Sequence, residues 1–265
     1  FLSAQIWPPD EPWMAGMPLH YYYFGQVLAA VPILTAGTNP AVGYNLMSAT
    51  IPAFSAVLLA ALGLTLARRR RPITAALMPL LVLLTGNLAW PRLMDLARDG
   101  RWFDMWWATS RVIPGFAIDE YPLWTALFAD LHGHFIALPI LLLTLLWGWM
   151  VVDLPGRRWL VAAGLAGICA AVLAATNPWD IFVLASALGV GTLMAAGRPI
   201  RGLLRLLAAG CASVVGGGTC WRRSGCRSNW WPWSTCPWGL HRAGCSRERR
   251  RPGRPRRRPR CRRGS

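Results

Sequence analysis

Long apolar runs alternate with short polar segments along most of the chain. The apolar runs occupy residues 43–66, 73–90, 134–152, 159–176 and 181–197, and a weaker run follows at 202–217. A helix of about 20 apolar residues is long enough to cross a bilayer. The pattern therefore predicts an all-α fold, a polytopic transmembrane helix bundle with about five to six spans.

The arginines between these runs predict the orientation of the bundle, because short Arg-rich loops stay on the cytoplasmic side of a membrane. Such loops lie at Arg68–Arg71, Arg157–Arg158 and Arg198–Arg205. With these loops inside, loop 91–133 and the segment Asn177–Asp180 lie outside, and each apolar run crosses in turn.

The first apolar run, residues 24–37, is short and contains Pro32. A span here would put the acidic residues 10 and 11 in the cytoplasm, opposite the other acidic loops. We therefore predict an interfacial or re-entrant helix over residues 20–37 on the outer face. A true span is the alternative.

The segment before this helix carries the first candidate site. Asp10 and Glu11 lie side by side among prolines, and His20 and Tyr21–Tyr23 follow. Adjacent carboxylates can bind a divalent cation or act as a general base. Tyrosines favour the membrane interface. The alternative is a solvated acidic turn.

Loop 91–133 carries a second set of candidates. The guanidinium of Arg111 matches the oxygens of a phosphate, although a surface arginine can instead pair with an acid. Asp130, His132 and His134 alternate in an Asp-x-His-x-His pattern that resembles a metal-ligand cluster. In an extended loop both imidazoles could face one ligand. The alternative is capping of the helix that starts at residue 134.

A third set is Asn177-Pro178-Trp179-Asp180, between two apolar runs. Asp180 could contact a substrate or cap helix 181–197, and Trp179 could lie at the membrane interface. Between residues 43 and 197, ionisable residues lie only in the loops or at the ends of the apolar runs. The interiors of these runs contain no Asp, Glu, Lys, Arg or His. Because transport of ions needs ionisable groups inside the bilayer, this pattern favours chemistry at the surface.

The C-terminal tail differs from the rest of the chain. Residues 219–265 hold 15 of the 28 basic residues behind the net charge of +17, and five of the seven cysteines, without a Cys-x-x-Cys pair. We divide the chain into a transmembrane region, residues 1–217, and a disordered tail, residues 218–265. The tail has the composition of GC-rich DNA read out of frame, so we expect no nucleic-acid partner. A basic arm that binds anionic lipid or nucleic acid is the alternative.

Five blocks of sequence, in order, resemble the "YYY" membrane proteins of bacteria and archaea, which are named for their tyrosine run. The blocks are residues 8–25, Tyr44–Leu46, Ser110–Ile113, Phe128–His134 with Ala137–Pro139, and Asn177–Asp180. Members are longer at both ends, so the resemblance implies a transmembrane region that is truncated at its N-terminal side.

These proteins are similar in layout to the GT-C glycosyltransferases, multi-pass enzymes that take sugar from a polyprenyl-phosphate donor at the outer face of the plasma membrane. This likeness implies that Asp10, with Glu11 second, acts as base or as ligand of a divalent cation, Mg²⁺ or Mn²⁺. The expected partners are membrane lipid and the lipid-linked sugar. A lipid-carrier flippase or other transporter, or a non-catalytic scaffold, is the alternative. The expected substrate-binding residues are His20, Tyr21, Tyr22, Tyr23, Arg111, Asp130, His132, His134, Asn177, Trp179 and Asp180.

Overall fold

The computed structural model of the chain describes residues 9–11, 14–19, 21–67, 72–86, 89–113, 117–194 and 202–210. The predictions for the tail, residues 218–265, and for His20 therefore lie outside the described residues. The described elements are a short hairpin and a set of helices. They are β1 (Asp10–Glu11), β2 (Met14–Pro18), α1 (Phe24–Thr35), α2 (Pro40–Leu66), α3 (Ile73–Pro79) with a π-helical turn (Leu80–Leu84), a 3₁₀ turn (Trp90–Leu93), α4 (Met94–Arg98), α5 (Trp102–Thr109), α6 (Pro122–Leu127), α7 (Gly133–Asp153), α8 (Trp159–Thr176), α9 (Asp180–Met194) and α10 (202–210).

The predicted all-α membrane bundle is confirmed. Within the described ranges three helices are long and apolar enough to cross a bilayer, namely α2, α7 and α8. The 21 residues of α7 rise about 30 Å, which matches the thickness of the hydrocarbon core. The apolar helices α1, α9 and α3 with its π-helical turn are shorter. The predicted span at 73–90 is thus shorter than expected, and the end of the predicted span at 181–197 lies outside the described residues.

The run 73–90 ends early for a local reason. Pro79 cannot donate a backbone hydrogen bond, and the helix widens into the π-helical turn directly after it. Gly86 then takes a left-handed backbone with φ +56°, which a glycine adopts at no steric cost. The helical path consequently stops at Leu84 rather than near residue 90.

Helix α7 lies at the centre of the bundle, packed against α8, α2, α9 and α1. One face buries Leu142 with Leu59 of α2 and Leu83 of the π-helical turn. Another face buries Ala137 and Leu141 with residues of α8 and α9. Any side chain at the start of α7 is therefore surrounded by the ends of its neighbours.

The two ends of the bundle differ in chemistry. α8 runs back along α7, so its last residue, Thr176, lies near the first residue of α7: a Cβ at Gly133 would lie 3.4 Å from the Thr176 carbonyl oxygen. At this end the Tyr44 hydroxyl, near the start of α2, also accepts a hydrogen bond from the Leu131 backbone N–H at 3.2 Å. We call this end of the bundle, where α7 begins and α8 ends, the His134 end.

The opposite end, the Arg157 end, carries Arg157, Arg158 and Arg205. Arg157 and Arg158 lie between α7 and α8. Arg205 of α10 donates to the Leu154 carbonyl at 2.9 Å and lies 5.4 Å from the ring centre of Trp159. These contacts bring Arg205 and the loop of Arg157 and Arg158 to one end of the bundle, as the predicted alternation expects. Arg68–Arg71 lies outside the described residues.

Helix α1 stays at the His134 end instead of crossing the bundle. A Cβ at Gly25, in its first turn, would lie 2.7 Å from Thr176 Cγ2, at the end of α8. Ile33, near its other end, lies against Gly43 in the first turn of α2. Both ends of this 12-residue helix thus contact the same end of the bundle, as the predicted interfacial helix requires.

The acidic segment before α1 is a hairpin rather than the loop we expected. β1 pairs antiparallel with β2, with Asp10 opposite Pro18 and Glu11 opposite Met14, and the register shifts between the two acids. The Leu19 backbone N–H donates to the Pro9 carbonyl at 2.8 Å and closes the hairpin. Gly16, at φ +80°, allows the irregular backbone.

The close approach of α1 to α8 provides a test of this arrangement. We expect Gly25→Ala to lower the free energy of unfolding by about 1–3 kcal/mol, because its methyl group would overlap the fully buried Thr176 side chain. Thermal unfolding in detergent measures the loss. Gly164→Ala in α8, where a Cβ meets nothing within 4 Å, is the matched control and should not destabilise. Equal midpoints for the two variants would contradict the packing.

Candidate functional site

Ionisable side chains from three separate segments converge at the His134 end of the bundle. Asp130, His132 and His134 come from the entry to α7, and Glu120 precedes α6. Asp180 begins α9. Charged groups avoid the hydrocarbon core, so the ends of apolar helices are where they can gather.

The closest contact within this cluster joins Glu120 and His134. Glu120 Oε2 lies 3.2 Å from His134 Nε2, and Thr125 Oγ1 lies 3.5 Å from the same nitrogen. Glu120 Oε2 is buried and lies within ion-pair distance of the imidazole, but it forms no hydrogen bond with the described residues, because the contact lacks hydrogen-bond angles. A buried acceptor without a donor is costly, which makes it a ready partner for a ligand.

The environment of the Glu120 side chain disfavours its charged form. Burial raises the pKa of the Glu120 carboxyl group, and the negative charge of Asp130 raises it further. The charges of His132 and Arg111 lower this pKa. The charges of Asp130, His132 and Arg111 thus all act on the Glu120 carboxyl group. Arg111 therefore belongs to the electrostatic environment of the cluster.

His132 and His134 lie side by side, as the predicted extended segment requires. Their ring centres are 5.2 Å apart, and His132 Nδ1 lies 3.7 Å from Asp130 Oδ2. His132 occupies the N-cap position of α7, but its side chain makes no capping hydrogen bond, so the capping alternative is wrong for this residue. Over the ranges that the structure describes, no three His, Cys, Asp or Glu side chains are arranged to hold a metal ion.

Arg111 is held in place by its neighbours. Its Nη1 donates to the Ser110 carbonyl at 2.9 Å and to Ser110 Oγ at 2.6 Å. The guanidinium lies 4.3 Å from the ring centre of Trp107, an attractive cation–π distance. Trp107 in turn packs near Trp124, which stacks on Phe128. Arg111 forms no ion pair with any described carboxylate, so the pairing alternative is not realised there.

Of the candidate residues in segment 177–180, Asp180 lies in the cluster. The Asp180 backbone N–H donates to the Asn177 carbonyl at 3.2 Å, and Asn177 itself is buried. Asp180 is the first residue of α9. Trp179 is 68% exposed and lies near Phe182, which fits the predicted position at the membrane interface.

Of the tyrosine run, Tyr22 reaches the cluster. A Cβ at Gly133 would lie 3.0 Å from Tyr22 Cε2, so the absence of a side chain there admits the ring. Tyr21 stacks on Tyr22, and their two hydroxyl groups share a hydrogen bond. Burial, this hydrogen bond and the charges of Tyr21 and Asp180 raise the pKa of Tyr22 to about 12. Tyr23 precedes α1 as its N-cap residue.

Asp10 and Glu11 lie on the hairpin that leads into Tyr21–Tyr23. Asp10 is exposed and Glu11 is half-buried. The contacts that assemble the cluster come from Tyr22, not from the strand that carries the two acids. Their predicted catalytic and metal-binding roles stay predictions.

A cavity of about 150 Å³ opens beside the cluster. Glu120, His134 and Asp180 provide its ionisable groups. Its apolar wall follows one face of α7, through Phe135, Leu138 and Leu141, two turns into the bundle. The site thus joins a polar mouth to an apolar floor, which suits a ligand with both characters.

Sequence reasoning missed two residues of this site, Glu120 and Tyr121. Both line the cavity, and the Tyr121 hydroxyl lies 2.8 Å from Thr109 Oγ1. The available signal was an acid next to an aromatic residue directly before the Pro122 start of α6. That signal is weak, because the partner of Glu120, His134, lies 14 positions further along the chain.

The fold and the site together define a polytopic membrane protein with a polar cluster at one end of an apolar helix bundle. The chain belongs to the family described as uncharacterized membrane protein DUF2298, which it matches over residues 1–223. No curated protein and no solved structure matches the chain. The membership confirms that the chain is a membrane protein of an uncharacterised family, and its apolar helices indicate a lipid environment.

The buried carboxylate oxygen of Glu120 leads to a prediction about the pH dependence of stability. A group whose pKa is raised by folding stabilises the folded state fully below its unfolded pKa, and loses that contribution as the pH rises through the folded value. Replacing Glu120 by Gln removes the buried charge. We expect Glu120→Gln to raise the thermal midpoint at about pH 7 and to do so less at about pH 4.

Thermal unfolding in detergent at both pH values measures this difference. The control is Asp119→Asn, because Asp119 Oδ2 accepts a hydrogen bond from the Ile113 backbone N–H at 3.0 Å. That variant loses a satisfied carboxylate and should be less stable at neutral pH. A lower midpoint for Glu120→Gln at neutral pH would show that Glu120 is paired.

Proposed function

We propose that this chain belongs to a membrane-embedded glycosyltransferase of the GT-C type, which transfers a sugar from a polyprenyl-phosphate donor at the outer face of the plasma membrane. The observation that carries the proposal is the cavity at the His134 end, where Glu120, His134 and Asp180 meet an apolar wall of α7. A lipid-linked sugar phosphate has the same two characters, a polar head on an apolar chain.

Arg111 is the residue that suits the phosphate of the donor. Its guanidinium is always charged and presents a planar fork of donors. Ser110 and Trp107 hold this fork in one place, and no described carboxylate neutralises it. His132, which is 51% exposed, supplies a second donor at the mouth of the site.

The proposed reaction is a substitution at the anomeric carbon of the donor. The acceptor hydroxyl oxygen forms the new bond, and the bond between that carbon and the phosphate oxygen breaks. The phosphate oxygen keeps the bonding electron pair, and Arg111 stabilises the resulting charge on polyprenyl phosphate. The Asp10 carboxylate takes the proton of the acceptor hydroxyl group.

Asp10 and Glu11 also suit a divalent cation. Mg²⁺ is usually bound by one or two carboxylates together with water and the phosphate of a substrate, and two carboxylates are what this hairpin offers. Such a cation, Mg²⁺ or Mn²⁺, would add positive charge next to the leaving phosphate.

The charge-free interior of the bundle supports surface chemistry over transport. Residues 135–152, the body of the central helix α7, include no Asp, Glu, Lys, Arg or His. A transporter for a charged headgroup needs a polar path through the bilayer. The proposal therefore keeps the substrate at the membrane surface.

Transfer of radiolabelled sugar from polyprenyl phosphate to acceptor, in membranes that contain the chain, tests the proposal. Asp10→Ala should abolish transfer, with a loss of at least about a hundredfold, because the acceptor then lacks its base. Asp95→Ala is the control, since Asp95 is 81% exposed and pairs on the surface with Arg98 at 2.6 Å. Unchanged transfer by Asp10→Ala would contradict the role of Asp10, and absence of transfer by the parent chain would contradict the function.

A further inference from the structure

We propose that the cavity between α7, α9 and the start of α6 is the subsite for the sugar itself, and that it takes one neutral hexopyranose ring, with Glu120 and Asp180 accepting hydrogen bonds from its hydroxyl groups. This inference rests on the proposed function and adds to it the location, class and orientation of the sugar.

The size of the cavity agrees with a ligand larger than water. Its volume of about 150 Å³ is many times the roughly 15 Å³ that one water molecule needs. A single pyranose ring is a ligand that this space can take. The ring would lie at the mouth, since the wall deeper along α7 is formed by Leu138 and Leu141.

The polar atoms of the cavity include carboxylate oxygens that can accept hydrogen bonds from a ligand. Glu120 Oε2 is buried and has no hydrogen-bond partner among the described residues. Asp180 brings a second carboxylate from another helix. Sugar hydroxyl groups donate hydrogen bonds to carboxylates, and a bond to a charged acceptor is about twice as strong as a neutral one. A phosphate or a uronic acid would instead bring a like charge to the two acids.

Tyr121 provides a fixed aromatic surface in the same cavity. Its hydroxyl is bonded to Thr109 Oγ1 at 2.8 Å, and its ring lies directly against Gly86, whose missing side chain makes room for it. The C–H face of a pyranose ring packs on such a surface. Aromatic and apolar walls with a few fixed polar groups are typical of small-molecule sites.

The charges around the cavity orient the donor. Arg111 follows Ser110, whose carbonyl oxygen accepts a hydrogen bond from the Asp119 backbone N–H at 2.9 Å, so Arg111 lies near the segment that carries Glu120 but does not line the cavity. The sugar ring therefore lies between Glu120 and Asp180, and its phosphate lies outward, towards Arg111 and the exposed His132. This orientation places the anomeric carbon at the mouth, where an acceptor can approach.

Photo-crosslinking tests the subsite directly in the full chain. The probe is a polyprenyl-phosphate hexose that carries a diazirine on the sugar ring, and mass spectrometry maps the labelled peptide. We expect the label on the peptides of residues 117–122 or 134–141. A label confined to other peptides would overturn the assignment.

Two variants and one control sharpen the result. Leu138→Phe fills the cavity, and Glu120→Gln removes an acceptor charge, so each should reduce this labelling by about tenfold. Glu120→Gln is expected to fold at least as well as the parent chain. Asp119→Asn changes the adjacent carboxylate outside the cavity and should leave labelling within about twofold. Labelling that survives both cavity variants would overturn the subsite.

A second probe, with the diazirine on the polyprenyl chain, separates this inference from the proposed function. Labelling by the lipid probe, with sugar labels outside the cavity, would overturn the subsite and leave the donor class intact. Sugar labels in the cavity without transfer to an acceptor would support the subsite and contradict the proposed enzyme. If neither probe labels the chain, both proposals fail.

Discussion

The close approach of three elements at Gly133 is the contact on which the rest of the site depends. Without a side chain at this position, the ring of Tyr22 and the carbonyl of Thr176 come within van der Waals distance of the start of α7. That approach draws α1 and the end of α8 to the same place as His134. Because α7 is otherwise free of charge up to Asp153, the polar groups collect at its end rather than along its length.

The cluster shows a conflict between stability and chemistry. Glu120 places a buried carboxylate beside His134 without completing a hydrogen bond, an arrangement that costs folding free energy. Strained or unsatisfied polar groups persist where a ligand completes them. The apolar packing of α7 against Leu59, Leu83 and Leu173 supplies stability that a small bundle needs to carry such a site.

Much of this fold follows from sequence, because uncharged runs of bilayer length specify helices and the arginines between them specify sides. The position of α1 at one end of the bundle also followed, from its length and Pro32. The hairpin that contains Asp10 could not be predicted from the sequence, since its pairing depends on Gly16 and on the register of the two strands. Part of the site could be predicted from the sequence, because His134 and Asp180 flank apolar runs. Glu120 could not, because its role depends on contacts with residues distant in sequence.

The central claim is that the His132–His134 segment and the Arg157–Arg158 loop lie on opposite sides of the membrane. Single cysteines at these places, His132→Cys and Arg157→Cys, can be introduced into a chain whose seven cysteines are replaced by serine. A membrane-impermeant maleimide applied to intact cells should label the cysteine at position 132 and reach position 157 only after permeabilisation. Labelling of both positions from outside, or the reverse pattern, would contradict the account.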